Sequence, residues 1–201
     1  MKIQSLMISN PITIAESTTV EEALELMKAN SIRHLPVVSK DNLLKGFVTL
    51  ADLKIGLIPS MVAGVSLTDL MVRDPITVAP NADIEIAAQL IYNHKIGGMP
   101  VVEKGRVVGI ITETDILRTF IDMMGILTAS SRIDVVIGNE KGSFRKALQV
   151  IHDNGGDIIN VGLTARPGRR RTYFFRLSPC KTQPIQKKLE AEGFEVLDAM
   201  D

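Results

Sequence analysis

The chain carries one heptapeptide twice, GFVTLAD (Gly46 to Asp52) and GIITETD (Gly109 to Asp115), with a threonine three residues ahead of an aspartate in each copy. At a strand-to-helix turn that spacing lets both side chains face one ligand. The threonine hydroxyl and the backbone N–H groups of a helix start suit a phosphate. An ionised aspartate offers only acceptor oxygens, so it can take two hydrogen bonds from a ribose diol. The glycine permits close backbone approach. This is chemistry for recognising a nucleoside phosphate, not for converting it. A plainer role stays open: Thr49 and Thr112 as strand ends, Asp52 and Asp115 as helix N-caps.

A second group sits upstream in SIRHLPVV, where Arg33 and His34 precede an apolar run. Arg33 can grip a phosphate in bidentate fashion, and His34 adds charge only below its ordinary pKa of about 6.5. The second copy has Gly97 and Gly98 there, with Lys95 as a weaker substitute. Two sites of unequal affinity are expected; the alternative is that Arg33 and His34 are solvated turn residues. Nothing else points to catalysis or to a metal. His34, His94 and His152 are far apart in sequence, and no phosphate-binding G-x-x-x-x-G-K-[ST] or dinucleotide G-x-G-x-x-G run is present. The single Cys180 excludes an intrachain disulfide and a cysteine-based zinc cluster.

The elements that must place these residues are themselves repeated. LMISNPITIAESTTVEEALELMKANSIRHLPVV lies over LMVRDPITVAPNADIEIAAQLIYNHKIGGMPVV at an offset of 64, with 13 identities in 33 positions. Each copy predicts an extended PITI or PITV segment, a helix, two strands around a tight turn, and a second helix opening near Asp52 or Asp115. Thr19 with Glu22 three residues on predicts a capping box, and Asp83 takes the cap role in the second copy. The order is β-α-β-β-α.

This pattern, an apolar residue followed by P-V-V, a turn and G-h-h-T-x-x-D, resembles the cystathionine-β-synthase (CBS) domain, and two in tandem look like a Bateman module over residues 2–124. The resemblance implies that Asp52 and Asp115 hold a ribose, and that Thr49 and Thr112 lie near the phosphates. It also implies that apolar residues and backbone hold an adenine. By that carry-over Thr13, Ile14, Leu35 and Pro36 flank one site, and Thr77, Val78, Met99 and Pro100 the other. The implied ligand is AMP, ADP, ATP, S-adenosylmethionine or NAD, with no metal or prosthetic group.

Beyond Gly125, a helix stop, the pattern changes. RIDVVIG, NEKGSFRKALQVIHDNGGD, IINVGLTA, TYFFRLS, TQPIQKKLEAEGF and EVLDAM read as β-α-β-β-α-β, a ferredoxin-like unit with RPGRRR at a hairpin tip. NEKGSF with GGDIINV resembles an ACT domain, although Lys141 stands where that family has proline. The resemblance implies an amino acid as candidate ligand at Asn139, Gly142 and Ser143, where a helix N-terminus would face a carboxylate; a purely dimerising domain is the alternative.

The expected architecture is therefore α/β (α+β): CBS repeats over residues 1–62 and 63–128, packed as a pseudo-two-fold pair, and an ACT-like domain over 129–201. An apolar fraction of 45% in 201 residues is enough for buried cores, and with 4% aromatics these must be aliphatic. The 23 basic and 23 acidic side chains cancel, which argues against a general nucleic-acid binder. Arg169 to Arg171 would carry such a role, or else form a solvated tip. No signal-peptide core opens the chain and no apolar window reaches spanning length, so a cytoplasmic protein without a membrane partner is expected.

The expected function is a non-catalytic, homodimeric sensor of an adenosine ligand, coupled through residues 123–131 to a regulated protein that the sequence does not identify. The alternative is a homodimeric interaction scaffold with degenerate pockets. The domain order resembles acetoin-utilisation proteins. The repeat pair is also similar to the regulatory insert of inosine-monophosphate dehydrogenase, without that enzyme's catalytic barrel.

Overall fold

A computed structural model describes residues 1–55, 65–164 and 171–201. The chain divides into two compact units, Met1–Arg118 and Thr119–Asp201. The expected boundary between residues 62 and 63, and residues 166–170 of the basic run, lie outside the described residues.

In the first unit, β1 (Ile8–Ser9), α1 (Val20–Ala29), β2 (His34–Val38), β3 (Leu44–Thr49) and α2 (Leu50–Ile55) form the first copy. The second comprises α3 (Leu67–Leu70), α4 (Ile84–His94), β4 (Gly98–Glu103), β5 (Arg106–Thr112) and the start of α5 (Glu113–Met123), whose residues 119–123 belong to the second unit. The hairpins β2–β3 and β4–β5 are antiparallel, each with a register shift at the same place, after Val37 and after Val101. The PITI and PITV segments are shorter as strands than expected. Only Ile14 and Val78 pair, each as a single parallel bridge, to Val37 and Val101.

Helix α1 starts as its sequence dictates. Thr19 accepts from the Glu22 N–H at 3.2 Å, and Glu22 accepts from the Thr19 N–H at 2.9 Å, while Val20, Ala23 and Met27 bury the inner stripe. Asp83 corrects its expectation. It stands at the N-cap of α4 but makes no side-chain cap, because its carboxylate instead meets Lys2 Nζ at 3.0 Å.

That ion pair belongs to an exchange between the two copies. Residues 1–9 run along the second copy: Ile3 is fully buried in the core of Val78, Ile84, Met99 and Ile111, and β1 pairs with β5. The equivalent segment 65–72 lies on the first copy. Leu67 is buried with Ile14, Leu35 and Val48, and Val72 bridges Phe47 through two N–H···O bonds of 2.9 Å. Both crossings pass over the heptapeptide glycines. A Cβ on Gly46 would sit 2.6 Å from Met71 Sδ and 3.1 Å from the Val72 carbonyl; on Gly109 it would strike Met7 Sδ and the Ile8 carbonyl. The glycines thus admit a neighbouring segment of the protein. The hairpin tips also meet, with Leu44 N–H on the Gly105 carbonyl at 3.0 Å and Asn42 Nδ2 on the Val107 carbonyl at 2.7 Å.

In the second unit, β6 (Ser131–Ile137), α6 (Ser143–Asp153), β7 (Ile158–Thr164), β8 (Arg171–Leu177), α7 (Thr182–Ala191) and β9 (Glu195–Met200) follow the ferredoxin-like order. The sheet runs β7-β8-β6-β9 with every neighbour antiparallel. Ile133, Val135 and Ile137 alternate along β6 and share one core with Ala147, Ile151, Phe175, Ile185 and Leu189, so both helices cover the same face. Asp134, at an alternate position, is held 3.1 Å from Arg132 Nε as an ion pair without hydrogen-bond alignment. Burial, its largest influence, raises the Asp134 carboxyl pKa against the pull of Arg132. Asp201 caps α7 by accepting from the Thr182 N–H and hydroxyl, both at 2.8 Å, and pairs with Lys181 Nζ at 3.0 Å. These contacts, the Thr182 N–H first, lower its pKa to about 2.

Two outcomes are expected. Gly46→Ala and Gly109→Ala each destabilise the protein by roughly 1–3 kcal/mol in urea denaturation, because the inserted methyl presses on backbone as well as on a methionine. Gly138→Ala, whose new Cβ meets nothing within 4 Å, has no such effect. The Asp201 pKa is depressed on folding, so its stabilisation is complete above the unfolded value of about 3.9 and is lost as pH falls through about 2. Asp201→Ala should lower the melting temperature at pH 7, and its difference from wild type should shrink as the pH falls toward 2.

Candidate functional site

The Thr–Asp pairs are built identically in both copies. Thr49 is the last residue of β3 and Asp52 the third of α2. Asp52 Oδ2 accepts from the Thr49 N–H at 2.9 Å and the Thr49 hydroxyl at 2.7 Å, while the Asp52 N–H donates to Thr49 Oγ1 at 3.3 Å. The Thr112–Asp115 distances are 2.9, 2.6 and 3.3 Å. Each pair is a reciprocal capping box with threonine as N-cap and aspartate at the third helical position. The plainer alternative is corrected in one detail: threonine, not aspartate, is the N-cap. The next N–H of each helix is satisfied across the hairpin, Leu50 on the Arg33 carbonyl at 2.9 Å and Glu113 on the Gly97 carbonyl at 3.0 Å.

These helix starts open into two cavities related by the repeat. One, of about 650 Å³, takes Thr49, Asp52 and Lys54 from the first copy and Asp74, Pro75, Ile76 and the run Lys95 to Gly98 from the second. The other, of about 440 Å³, takes Thr112, Thr114 and Asp115 from the second copy and Asn10, Pro11, Ile12 and the run Ser31 to His34 from the first. At the offset of 64 the two walls correspond position by position, Asn10-Pro11-Ile12 to Asp74-Pro75-Ile76 and Ser31–His34 to Lys95–Gly98. Both volumes lie in the range of small-molecule sites. In the larger cavity both bonds to Asp52 use Oδ2, which leaves Oδ1 without a hydrogen-bond partner among the described residues.

The cavities share one strip. Arg33 and His34 line both. The imidazole stacks on Phe47 with ring centroids 5.7 Å apart and 15° between planes. It occupies the space beside Gly97, where a Cβ would stand 2.9 Å from His34 Nε2. Burial holds the His34 pKa below its ordinary value, with the Arg33 charge adding to the depression and Glu113 and Asp52 opposing it.

Of the residues the sequence nominated, Thr49, Asp52, Arg33 and His34 meet in the larger cavity, and Thr112 and Asp115 meet Arg33 and His34 in the smaller. The adenine-flanking positions do not line either. Leu35 and Met99 are fully buried core residues, Ile14 and Val78 nearly so; Pro36 and Pro100 are buried in the same strands, and Thr13 and Thr77 sit beside their bridging neighbours. The walls opposite the aspartates are instead the N-P-I and D-P-I segments, one step earlier in the chain and from the other copy. In the second unit, Gly142 precedes α6 in a left-handed conformation (φ 97°), Ser143 is the first helical residue, and no side chain caps the helix. Asn139 lies in the loop before them. Among the described residues, no group of three or more His, Cys, Asp or Glu side chains is placed to hold a metal ion. No helix among them is long and apolar enough to cross a membrane.

Comparison with known proteins matches residues 3–57 and 67–122 to the family model of the CBS domain. The chain is 38% identical over 115 residues both to a homoserine O-acetyltransferase of Methanocorpusculum labreanum and to an inosine-5'-monophosphate dehydrogenase of Thermoplasma acidophilum. Those matches use 56% and 57% of this chain, and the chain spans under a quarter of either relative, 23% and 22%.

Among solved structures, an acetoin utilization protein of Vibrio cholerae superposes with a TM-score of 0.56 at 35% identity, over 63% of this chain and 94% of that one. A CBS domain pair in complex with 5'-methylthioadenosine and S-adenosylmethionine gives 0.56 at 29%, over 60% and 95%. The Arabidopsis thaliana protein CBSX2 in complex with AMP gives 0.54 at 28%, over 60% and 96%.

The environment of His34 makes its titration a direct check on this geometry. NMR titration of the imidazole should give a midpoint below 6.5, and Arg33→Gln should move it upward by removing the neighbouring cation.

Proposed function

The chain belongs to the CBS-domain family, as a tandem pair, and from that premise we propose that it is a non-catalytic sensor that binds an adenosine nucleotide or derivative between its two repeats. The observation that carries this is the composition of the cavities. Each sets a Thr–Asp helix start of one copy against the N-P-I or D-P-I segment of the other, so a ligand there touches both repeats. Asp52 Oδ1, without a hydrogen-bond partner among the described residues, would accept from a ribose hydroxyl. Ile12 and Ile76 supply apolar wall for a base, and Arg33, with Lys54 and Lys95 in the larger cavity, supplies charge for phosphate. Structural relatives with AMP, or with S-adenosylmethionine and 5'-methylthioadenosine, support that ligand class. AMP, ADP, ATP, S-adenosylmethionine and NAD all fit the chemistry.

The remaining parts of the reading are a homodimer, coupling through residues 123–131 to a regulated protein, and a C-terminal unit that acts as an ACT-like amino-acid sensor around Asn139, Gly142 and Ser143. Its ferredoxin-like topology supports the last part. A ligand shifts the partner only if it binds two conformations with different affinity. The domain limits proposed are 1–62, 63–128 and 129–201, in a cytoplasmic protein. The enzyme-named relatives carry most of their length outside the matched segment, consistent with a regulatory pair appended to other machinery. The capping boxes favour a second reading, a scaffold whose repeated heptapeptides only start helices.

Thermal melting with each of the five adenosine ligands separates the two. A ligand at a hundred times its dissociation constant adds about 2.7 kcal/mol to folding stability. Because each aspartate also caps a helix, Asp52→Asn and Asp115→Asn, which retain an acceptor oxygen, must be compared with and without ligand. A shift lost in one variant identifies the working cavity; five silent ligands would leave the scaffold.

A further inference from the structure

We propose that the two cavities compete for one shared cationic strip, Arg33–His34, so that an anionic ligand in either weakens binding of an anionic ligand in the other. This rests on the nucleotide reading above and adds a regulatory property to it.

The argument begins with an asymmetry in the duplication. Position for position, Arg33 and His34 correspond to Gly97 and Gly98, yet the strip does not serve the first copy alone. Arg33 and His34 line both cavities, and the imidazole rests in the space that the missing side chain at Gly97 leaves free. The second copy's equivalent wall, Lys95 to Gly98, has glycines where the first has Arg33 and His34, so one pair of side chains stands between two ligand spaces. A guanidinium has two donor edges but a single charge and a single position, so an Arg33 side chain drawn toward a phosphate in one cavity is drawn away from the other. His34 is held toward its neutral form by burial and by Arg33, so it does not add a second cation near pH 7. Two phosphates drawn to the same strip would also repel each other across it, in surroundings less polar than bulk water. The larger cavity adds Lys54 and Lys95, alongside the carboxylates of Asp74 and Glu113. Among the described residues Arg33 is the one Lys or Arg that lines the smaller cavity, so that cavity should lose more affinity when the other fills.

Reciprocity follows from linkage: whatever factor the first ligand imposes on the second, the second imposes on the first. Unequal intrinsic sites alone would also give two binding steps, so the test must measure each cavity in isolation. Isothermal titration with AMP on the full chain gives the stepwise constants. Asp52→Ala and Asp115→Ala each leave one cavity working, and the Asp→Asn versions, which keep the helix cap, serve where alanine unfolds the protein.

Competition predicts that the second AMP binds wild type at least tenfold more weakly than it binds the same cavity alone. It also predicts that the gap closes in Arg33→Gln and with uncharged adenosine in place of AMP. Equal affinities for that cavity with and without its neighbour filled would overturn the proposal, as would a tenfold gap that persists in Arg33→Gln. If AMP, ADP, ATP, S-adenosylmethionine and NAD all give no heat with wild-type protein, the nucleotide reading itself fails. AMP binding at two independent cavities overturns only the competition.

Discussion

Close contact of a methionine and a backbone carbonyl with a bare glycine, made twice, decides how the first unit assembles. At Gly46 the partner is Met71 with Val72, and at Gly109 it is Met7 with Ile8. Because those partners come from equivalent segments that lie on opposite copies, neither hydrophobic core is complete from one heptapeptide frame alone. Ile3 fills one core and Leu67 the other. The same crossings carry Asn10–Ile12 and Asp74–Ile76 to the helix starts they face, which is what creates the two cavities. A side chain at either glycine would therefore disturb packing and site geometry together.

The capping boxes explain why threonine and aspartate suit two tasks at once. A reciprocal box fixes the aspartate rotamer by tying one carboxylate oxygen to threonine. At Asp52 the second oxygen has no hydrogen-bond partner among the described residues, and the ribose contact proposed for it would leave the helix cap intact. Helix starting and ligand reading are thus compatible uses of one geometry.

Much of this was legible in the sequence. The offset of 64 revealed the duplication, Thr19 and Glu22 announced their box, and the C-terminal element order announced the ferredoxin-like sheet. The T-x-x-D box is equally readable by the rule that serves Thr19, with threonine as the cap and aspartate at the third helical position. Asp83 was misjudged because its competitor, Lys2, arrives through a crossing that no local pattern encodes. The same crossing hid the cavity walls. Periodicity identifies equivalent residues without saying which copy each packs against; it is the family resemblance that points to Ile14, Leu35, Val78 and Met99, whose side chains are buried in the two cores. The strip at Arg33 and His34 was noticed as a difference between the copies, and its service to both cavities required three dimensions.

The imidazole lodged beside Gly97 bears on the ancestry of the duplication. An exact doubling of the first copy would place a second arginine and histidine at positions 97 and 98, and the two sets would contend for one volume. An exact doubling of the second would leave that volume without either. In this geometry a side chain at position 97 would have to share space with the His34 imidazole, so the bulky residue of one half and the bare one of the other fit together as a pair.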